Sequence, residues 1–189
     1  MNPNTRLEDL LSRHRGNPTH ALQALRLVQQ EVGWIPPAML TRVADGLGVS
    51  RAQVQGVAEF YSFLAVRPVG RYRILFSDNV TDRMLGSEAL RERLCTRLGV
   101  KKGRLSDDAR VSVDTTSCTG MCDQGPAALV AGRPLTRLDA ARIDRIAELV
   151  DAGVDVSEWP AEWFRVDDNI RRTGPLLEAP QEPGVAVRA

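Results

Sequence analysis

The sequence predicts an α/β fold in which an N-terminal helical bundle precedes a small α/β sandwich and an extended C-terminal tail. Three observations lead to this prediction. Apolar residues recur with helical spacing through the first third of the chain, short alternating runs replace them after Pro68 and Gly70, and no regular period follows Gly153. The pattern divides the chain into residues 1–67, 68–152 and 153–189.

The first part is expected to contain four amphipathic helices. Thr5 and Ser50 are suited to cap the first and fourth helices, and Gly33 and Gly48 follow the second and third. The fourth helix is expected to carry its apolar face on through Phe60–Phe63 into the core. The predicted helices cover residues 5–14, 18–32, 37–47 and 51–64.

The second part has the order β-α-β-β-α, which is typical of a sheet with helices packed against it. Gly99 ends the first of these helices, whose apolar face includes Cys95. Gly132, Arg133 and Pro134 are expected to turn the chain back after the third strand. The predicted strands cover residues 71–76, 109–115 and 127–131, and the predicted helices cover 87–98 and 138–152.

The tail concentrates aromatic residues where no period exists. Trp159, Trp163 and Phe164 lie within six positions of one another. Large apolar side chains need a buried environment, and two arrangements would supply one. Either the tail straps across the surface of its own domain, or it buries its aromatic side chains in another subunit.

Composition excludes several classes of protein. The 189 residues carry 25 basic and 24 acidic side chains, a balance that suits neither a nucleic acid nor a membrane surface as the main partner. No apolar run approaches the roughly 20 residues that cross a bilayer, and the N-terminus lacks the apolar segment of a secretory signal, so we expect a cytoplasmic protein. With no G-x-G-x-x-G motif or P-loop and no histidines besides His14 and His20, the chain alone is not expected to bind NAD or to catalyse a complete reaction.

The third and fourth predicted helices offer a remote alternative, a helix-turn-helix DNA-binding unit. Arg51, Gln53 and Gln55 would then face the bases. The surrounding surface is not basic, because Asp45 and Glu59 balance the arginines. Two helices joined at a glycine are also a common packing device, which favours a structural role for this pair.

The three cysteines, Cys95, Cys118 and Cys122, do not suggest the disulfide framework of a secreted protein. The C-x-x-x-C spacing in a glycine-containing loop instead favours metal or redox chemistry, because two close thiolates can bind one iron. A 2Fe–2S cluster normally needs four such ligands. Cys95 is expected on a buried helix face and His14 and His20 in the remote helical part, so the count also fails for zinc.

Three segments together resemble a known family. They are GVAEFYSF at 56–63, RPVGRY at 67–72 and CTGMCDQGPA at 118–127. Over about residues 5–152 the chain resembles the E-type subunit of NADH:quinone oxidoreductase (complex I), a module that also occurs in NAD-linked formate dehydrogenases and NAD-reducing nickel–iron hydrogenases. The resemblance implies a helical bundle followed by a thioredoxin-like domain that holds a 2Fe–2S cluster through two pairs of cysteines.

The sequence departs from the family's pattern at one of these pairs. Alignment through Gly86–Glu88 puts Ser77 and Asp82 at the first pair, whereas Cys118 and Cys122 match the second. A serine hydroxyl holds its proton far more tightly than a thiol does, and aspartate is a hard oxygen ligand for a cluster built on soft sulfur. We therefore expect a degenerate 2Fe–2S site without a cluster, with an intact cluster as the alternative.

The tail sharpens the expected setting. Residues 164–175 resemble the linker that follows the E-like domain in the diaphorase chain of NAD-reducing hydrogenases, which implies that residues 158–178 run along a flavin- and NAD-binding partner. The resemblance implies an accessory or electron-transfer subunit of an NAD-linked oxidoreductase, with FMN and NAD in the partner and further iron–sulfur subunits in the complex. An electron-carrying 2Fe–2S subunit of a formate dehydrogenase or of complex I is the alternative.

Overall fold

The computed structural model describes residues 3–167. Within that range, no helix is both long enough and apolar enough to cross a membrane. The helices are α1 (Pro3–Arg13), α2 (Ala21–Val32), α3 (Pro37–Leu47), α4 (Arg51–Phe60), α5 (Val80–Met84), α6 (Ser87–Leu98) and α7 (Ala140–Asp151), and the strands are β1 (Tyr72–Ser77), β2 (Val111–Thr116), β3 (Ala128–Val130) and β4 (Arg133–Leu135).

Helices α1 to α4 surround a hydrophobic core of their own, in which Leu25 and Leu47 are fully buried. The predicted cap at Ser50 is confirmed. Its hydroxyl accepts a hydrogen bond from the Gln53 amide, and the Gln53 side chain accepts one from the Ser50 amide, which satisfies donors at the start of α4. The predicted cap at Thr5 is wrong, because α1 already begins at Pro3.

The predicted continuation of α4 through Phe60–Phe63 is also wrong. Tyr61 leaves the helix in an extended conformation, with φ −91° and ψ 108°. The Phe60 side chain is 79% exposed, and Phe63 is only partly buried against the helical core. The aromatic run therefore marks the exit from the helical part and not an extension of its core.

A partly buried arginine binds the backbone of the segment that follows α4. Arg73, on β1, donates to the backbone carbonyls of residues 62–64. Gln29 of α2 also donates to the Phe63 carbonyl, at 2.9 Å, and accepts a hydrogen bond from the Ala65 amide. Side chains from α2 and β1 thus hold the backbone of residues 62–65, and the segment joins the helical part to the sheet.

The four strands form one sheet in the order β2-β1-β3-β4. Strand β1 pairs parallel with β2 from Tyr72↔Val111 to Ser77↔Thr116, and antiparallel with β3. Alternate residues of β1 point to one face of the sheet, where α6 and α7 cover them. The core on that face includes Tyr72, Ile74, Phe76, Leu94, Ile143 and Ile146.

Two short elements were not predicted. Helix α5 is a single turn after β1, and β4 forms where a simple turn was expected at Gly132–Pro134. Residues Val130 and Arg133 pair across a tight β3–β4 hairpin. The other strands and helices of this part lie within three residues of their predicted bounds.

The aromatic residues of the tail lie against their own domain, which is the first of the two expected arrangements. We call residues 153–167 the strap. Trp159 is 3% exposed, and its ring stacks on Tyr72 with centroids 6.2 Å apart. The Trp159 indole and the Tyr72 hydroxyl both donate to the Val154 carbonyl. Trp163 and Phe164 pack beside them, partly buried. The remainder of the expected partner-binding stretch, 168–178, lies outside the described residues.

Substitution of Trp159→Ala is expected to lower the free energy of unfolding by about 3–5 kcal/mol, because it removes a large buried ring that packs on Tyr72 and leaves a cavity. Chemical denaturation followed by far-UV circular dichroism measures the change. Trp163→Ala is the matched control, with a smaller expected loss of about 1–2 kcal/mol, since that ring is only partly buried. Equal losses in the two variants would contradict the strap's packing.

Candidate cluster site

Parallel pairing brings two loops to one edge of the sheet. The first loop, residues 77–82, follows β1, and the second loop, residues 118–126, follows β2. Ser77 ends β1 and pairs with Thr116, which ends β2, so the segments that follow leave side by side. The Asp78 amide donates to the Thr116 carbonyl at 2.9 Å. The Ser62 hydroxyl lies 2.7 Å from that of Thr116, which also ties the helical part to this edge.

The second loop holds the two sulfurs close together. The Sγ atoms of Cys118 and Cys122 are 3.1 Å apart, with Cys118 exposed and Cys122 partly buried. The hydrogen bond from Cys122, together with one from the Gly120 amide at 3.3 Å, lowers the pKa of Cys118. The same bond between the sulfurs raises the pKa of Cys122.

Asn79 connects the two loops. Its Oδ1 accepts from the Asp82 amide at 2.9 Å and thereby caps α5. Its Nδ2 lies 2.9 Å from the Ser77 hydroxyl and 3.5 Å from Cys122 Sγ, and it also donates to the Asp82 carboxylate. Sequence reasoning missed this residue. The available signal was an asparagine three positions before an acidic residue, which is a common start for a helix.

Asp82 is fully buried, and hydrogen bonds occupy both of its carboxylate oxygens. Oδ1 accepts from the Ala127 backbone amide at 2.9 Å, and Oδ2 accepts from Asn79. The carboxylate packs so closely on Gly125 that a Cβ at that position would collide with Oδ1. Asp82 therefore links the first loop to the backbone that follows the second loop.

The donor set at this edge does not fit a 2Fe–2S cluster. Such a cluster needs four soft ligands, and two of the four positions that the resemblance predicts as ligands are the Ser77 hydroxyl, which bonds to Asn79, and the Asp82 carboxylate, which bonds to Asn79 and Ala127. In the part of the chain that the structure describes, no group of three or more His, Cys, Asp or Glu side chains is placed to hold a metal ion. The structure brings all four predicted site residues to one edge, as a hydrogen-bonded network.

The other candidate residues lie elsewhere. Cys95 packs against the sheet core, and burial raises the pKa of its thiol. His14 and His20 stack on each other in the helical part, with ring centroids 3.5 Å apart. Of the glutamines that a DNA-binding unit would present to bases, Gln53 caps α4 and Gln55 bonds to Glu59, at 2.8 Å.

Asp167 of the tail lies beside the second loop. The backbone of Asp167 exchanges two hydrogen bonds with the Gln124 side chain, at 2.9 and 3.0 Å, and its carboxylate pairs with Arg137 at 2.6 Å. Gln124 is itself buried, and its carbonyl accepts from the Arg137 amide. The tail is therefore anchored to the loop that carries the cysteines.

An exposed apolar surface borders the site. It consists of Val80, Met84 and Leu85, on or directly after α5, and we call it the α5 surface. These side chains are 74%, 83% and 51% exposed. Exposed apolar residues that stand together, next to a site of interest, are typical of a surface that binds another protein.

Comparison with known proteins gives the chain its relatives. The family model of the thioredoxin-like 2Fe-2S ferredoxins matches residues 7–151. An E-type subunit of the NADH-quinone oxidoreductase of Rhizobium meliloti (strain 1021) is 35% identical over 142 residues, which are 75% of this chain and 84% of that protein. The alpha subunit of the NAD-reducing hydrogenase HoxS of Cupriavidus necator is 31% identical over 184 residues, covering 92% of this chain and 31% of the relative.

A solved structure shares the same fold. In the NAD+-reducing NiFe-hydrogenase in its H2-reduced state, one chain superposes with a TM-score of 0.75 at 38% identity, over 87% of this chain and 27% of that one. The match confirms the expected thioredoxin-like fold. The chain spans about a third or less of the length of its hydrogenase relatives.

Substitution of Asp82→Ala is expected to lower the free energy of unfolding by about 2–4 kcal/mol, because it leaves the buried Ala127 backbone amide without its acceptor and removes one of the acceptors of the Asn79 side chain. Chemical denaturation is the measurement. Asp78→Ala is the control, since that carboxylate is exposed and its ion pair with Arg83, at 3.6 Å, is expected to contribute less than about 1 kcal/mol. A loss at Asp82 no larger than at Asp78 would contradict the proposed link.

Proposed function

The chain belongs to the thioredoxin-like 2Fe-2S ferredoxin family, and we propose that it is an accessory subunit of a cytoplasmic NAD-linked oxidoreductase, of the diaphorase type found in NAD-reducing hydrogenases. In this role it is not catalytic alone. It supports a partner subunit that carries FMN and binds NAD, within a complex that includes further iron–sulfur subunits. The reaction of the complex is NADH oxidation or NAD reduction.

The share of the chain that each relative matches favours a diaphorase-type complex. The match to the E-type relative from the NADH-quinone oxidoreductase covers 75% of the chain, whereas the match to the hydrogenase chain covers 92%. A match of that extent requires similarity beyond the helical part and the thioredoxin-like part. It therefore favours the hydrogenase setting over complex I, with formate dehydrogenase as the next alternative.

The α5 surface supports a partner at the site edge. Val80 and Met84 flank Asp82 in α5, and the Leu85 side chain lies beside Gly125, at the end of the cysteine loop. An exposed methionine and valine on a short helix suit an apolar pocket on a partner protein. We propose that the flavin subunit covers this surface.

The proposed role is that of a scaffold without a cluster. A hydrogen-bonded carboxylate, Asp82, connects the first loop to Ala127, so the edge of the sheet keeps its shape without iron. Cys118 and Cys122 leave an electron-carrying cluster as the second candidate, because both thiols of one ligand pair remain in place. The ligand chemistry favours the scaffold.

Purification of the tagged full chain from its native cells tests the partnership. We expect it to bring down a flavoprotein that oxidises NADH, and the flavin to be FMN when it is released and identified. Recovery of the chain alone, or with proteins that contain no flavin, would contradict the proposed function.

The scaffold role predicts that the purified chain contains no iron or acid-labile sulfide. The double substitution Ser77→Cys with Asp82→Cys restores four thiols, and we expect it to gain about two iron and two sulfide per chain. Iron and sulfide assays, with visible absorption, measure both. The same double variant carrying Cys118→Ser is the control and is expected to lose that gain. About two iron and two sulfide in the unaltered chain would overturn the scaffold role.

Substitution of Met84→Glu is expected to weaken binding to the flavin subunit at least about tenfold, because it places a charge in an apolar interface. Calorimetric titration measures the Kd. Val32→Glu is the matched control, since Val32 is also an exposed apolar residue at the end of a helix but lies in the helical part. Unchanged binding by the Met84 variant would show that the α5 surface is not the interface.

A further inference from the structure

We propose that Cys118 and Cys122 form a reversible dithiol–disulfide site, which exchanges with low-molecular-weight disulfides of the glutathione class. The inference rests on the proposed cluster-free role, because iron would otherwise occupy both sulfurs. It assigns a redox modification to the loop and not an electron relay. The proposed site consists of the two cysteines, the residues that contact them and the residues that hold the second loop in place.

The geometry places the sulfurs close to bonding distance. Their separation of 3.1 Å must shorten by roughly 1 Å to reach the length of a disulfide bond. The intervening residues, Thr119–Met121, include Gly120, whose φ of 80° is a left-handed backbone angle that glycine adopts without strain. The sulfurs are therefore a short approach away from a bond, in a loop whose turn at Gly120 is unstrained.

Exposure separates the roles of the two sulfurs. Cys118 is exposed and Cys122 is partly buried, so a small disulfide reaches Cys118 first. The third cysteine, Cys95, is packed against the sheet core and stays out of the exchange. The less exposed Cys122 lies 3.1 Å from Cys118 and is placed to resolve the mixed disulfide that forms on Cys118.

The exchange consumes one external disulfide and releases two thiols. The Cys118 thiolate attacks one sulfur of the small disulfide, breaks its S–S bond and expels one thiolate. Cys122 then attacks the Cys118 sulfur as a thiolate and expels the second thiolate, which leaves the Cys118–Cys122 bond. The chain loses two electrons and two protons, the external disulfide gains the two electrons, and its two thiolates take up the protons.

Hydrogen bonds connect the second loop to its surroundings, so that oxidation of the cysteines affects other segments. Asn79 lies within 3.5 Å of Cys122 Sγ and also bonds to Ser77 and Asp82. On the other side, Gln124 holds the tail at Asp167 through two hydrogen bonds. Oxidation therefore alters a loop that contacts both the first loop and the tail.

The test uses the full chain, reduced and then equilibrated with oxidised glutathione without denaturant. We expect intact-mass spectrometry to show a chain lighter by two hydrogen atoms, with no glutathione attached. Alkylation after unfolding is expected to label Cys95 alone, and treatment with dithiothreitol to restore all three thiols. Iron and acid-labile sulfide are assayed on the same sample.

Two variants make the result specific. Cys95→Ser is expected to undergo the same mass change, whereas Cys122→Ser is expected to retain glutathione on Cys118 because the resolving thiol is missing. An iron-free chain that keeps three free thiols, or that keeps glutathione on Cys118 while Cys122 is intact, would overturn the inference alone. Iron and sulfide in the unaltered chain would instead overturn the cluster-free role on which the inference rests.

Discussion

The hydrogen-bond ladder of β1 is the constraint on which the rest of the molecule depends. Its parallel register with β2 aligns Ser77 with Thr116, and that alignment alone brings the two loops to one edge. The alternation along the same strand sends Tyr72, Ile74 and Phe76 into the core under α6 and α7. A slip of one residue would turn this apolar set away from the helices and separate the loops.

On the opposite face of β1, a single charged residue, Arg73, helps to join the helical part to the sheet. The helical part has its own core, and what joins it to the sheet is largely polar, through Arg73, Gln29 and the contact between Ser62 and Thr116. Such contacts are directional, since each requires one backbone conformation of residues 62–64. They fix an orientation that apolar packing alone would leave less well defined.

Sequence patterns predicted the longer elements because helical and strand periods need several residues to become visible. They could not predict β4, with three residues and a proline, or the single turn of α5. The exposed Phe60 misled prediction, since hydrophobicity indicates burial only on average. At the site, the family resemblance predicts Ser77 and Asp82 as substituted ligand positions. The contacts of Asp82 with Asn79 and Ala127 depend on tertiary structure, which no local pattern contains.

The buried Asp82 carboxylate has a consequence for how such a site changes in evolution. Where a carboxylate has taken over the bond to Ala127, a later cysteine at position 82 removes that bond at once. It gains iron in return only if position 77 already supplies a thiol. The effect of a cysteine at position 82 is therefore expected to depend on the residue at position 77.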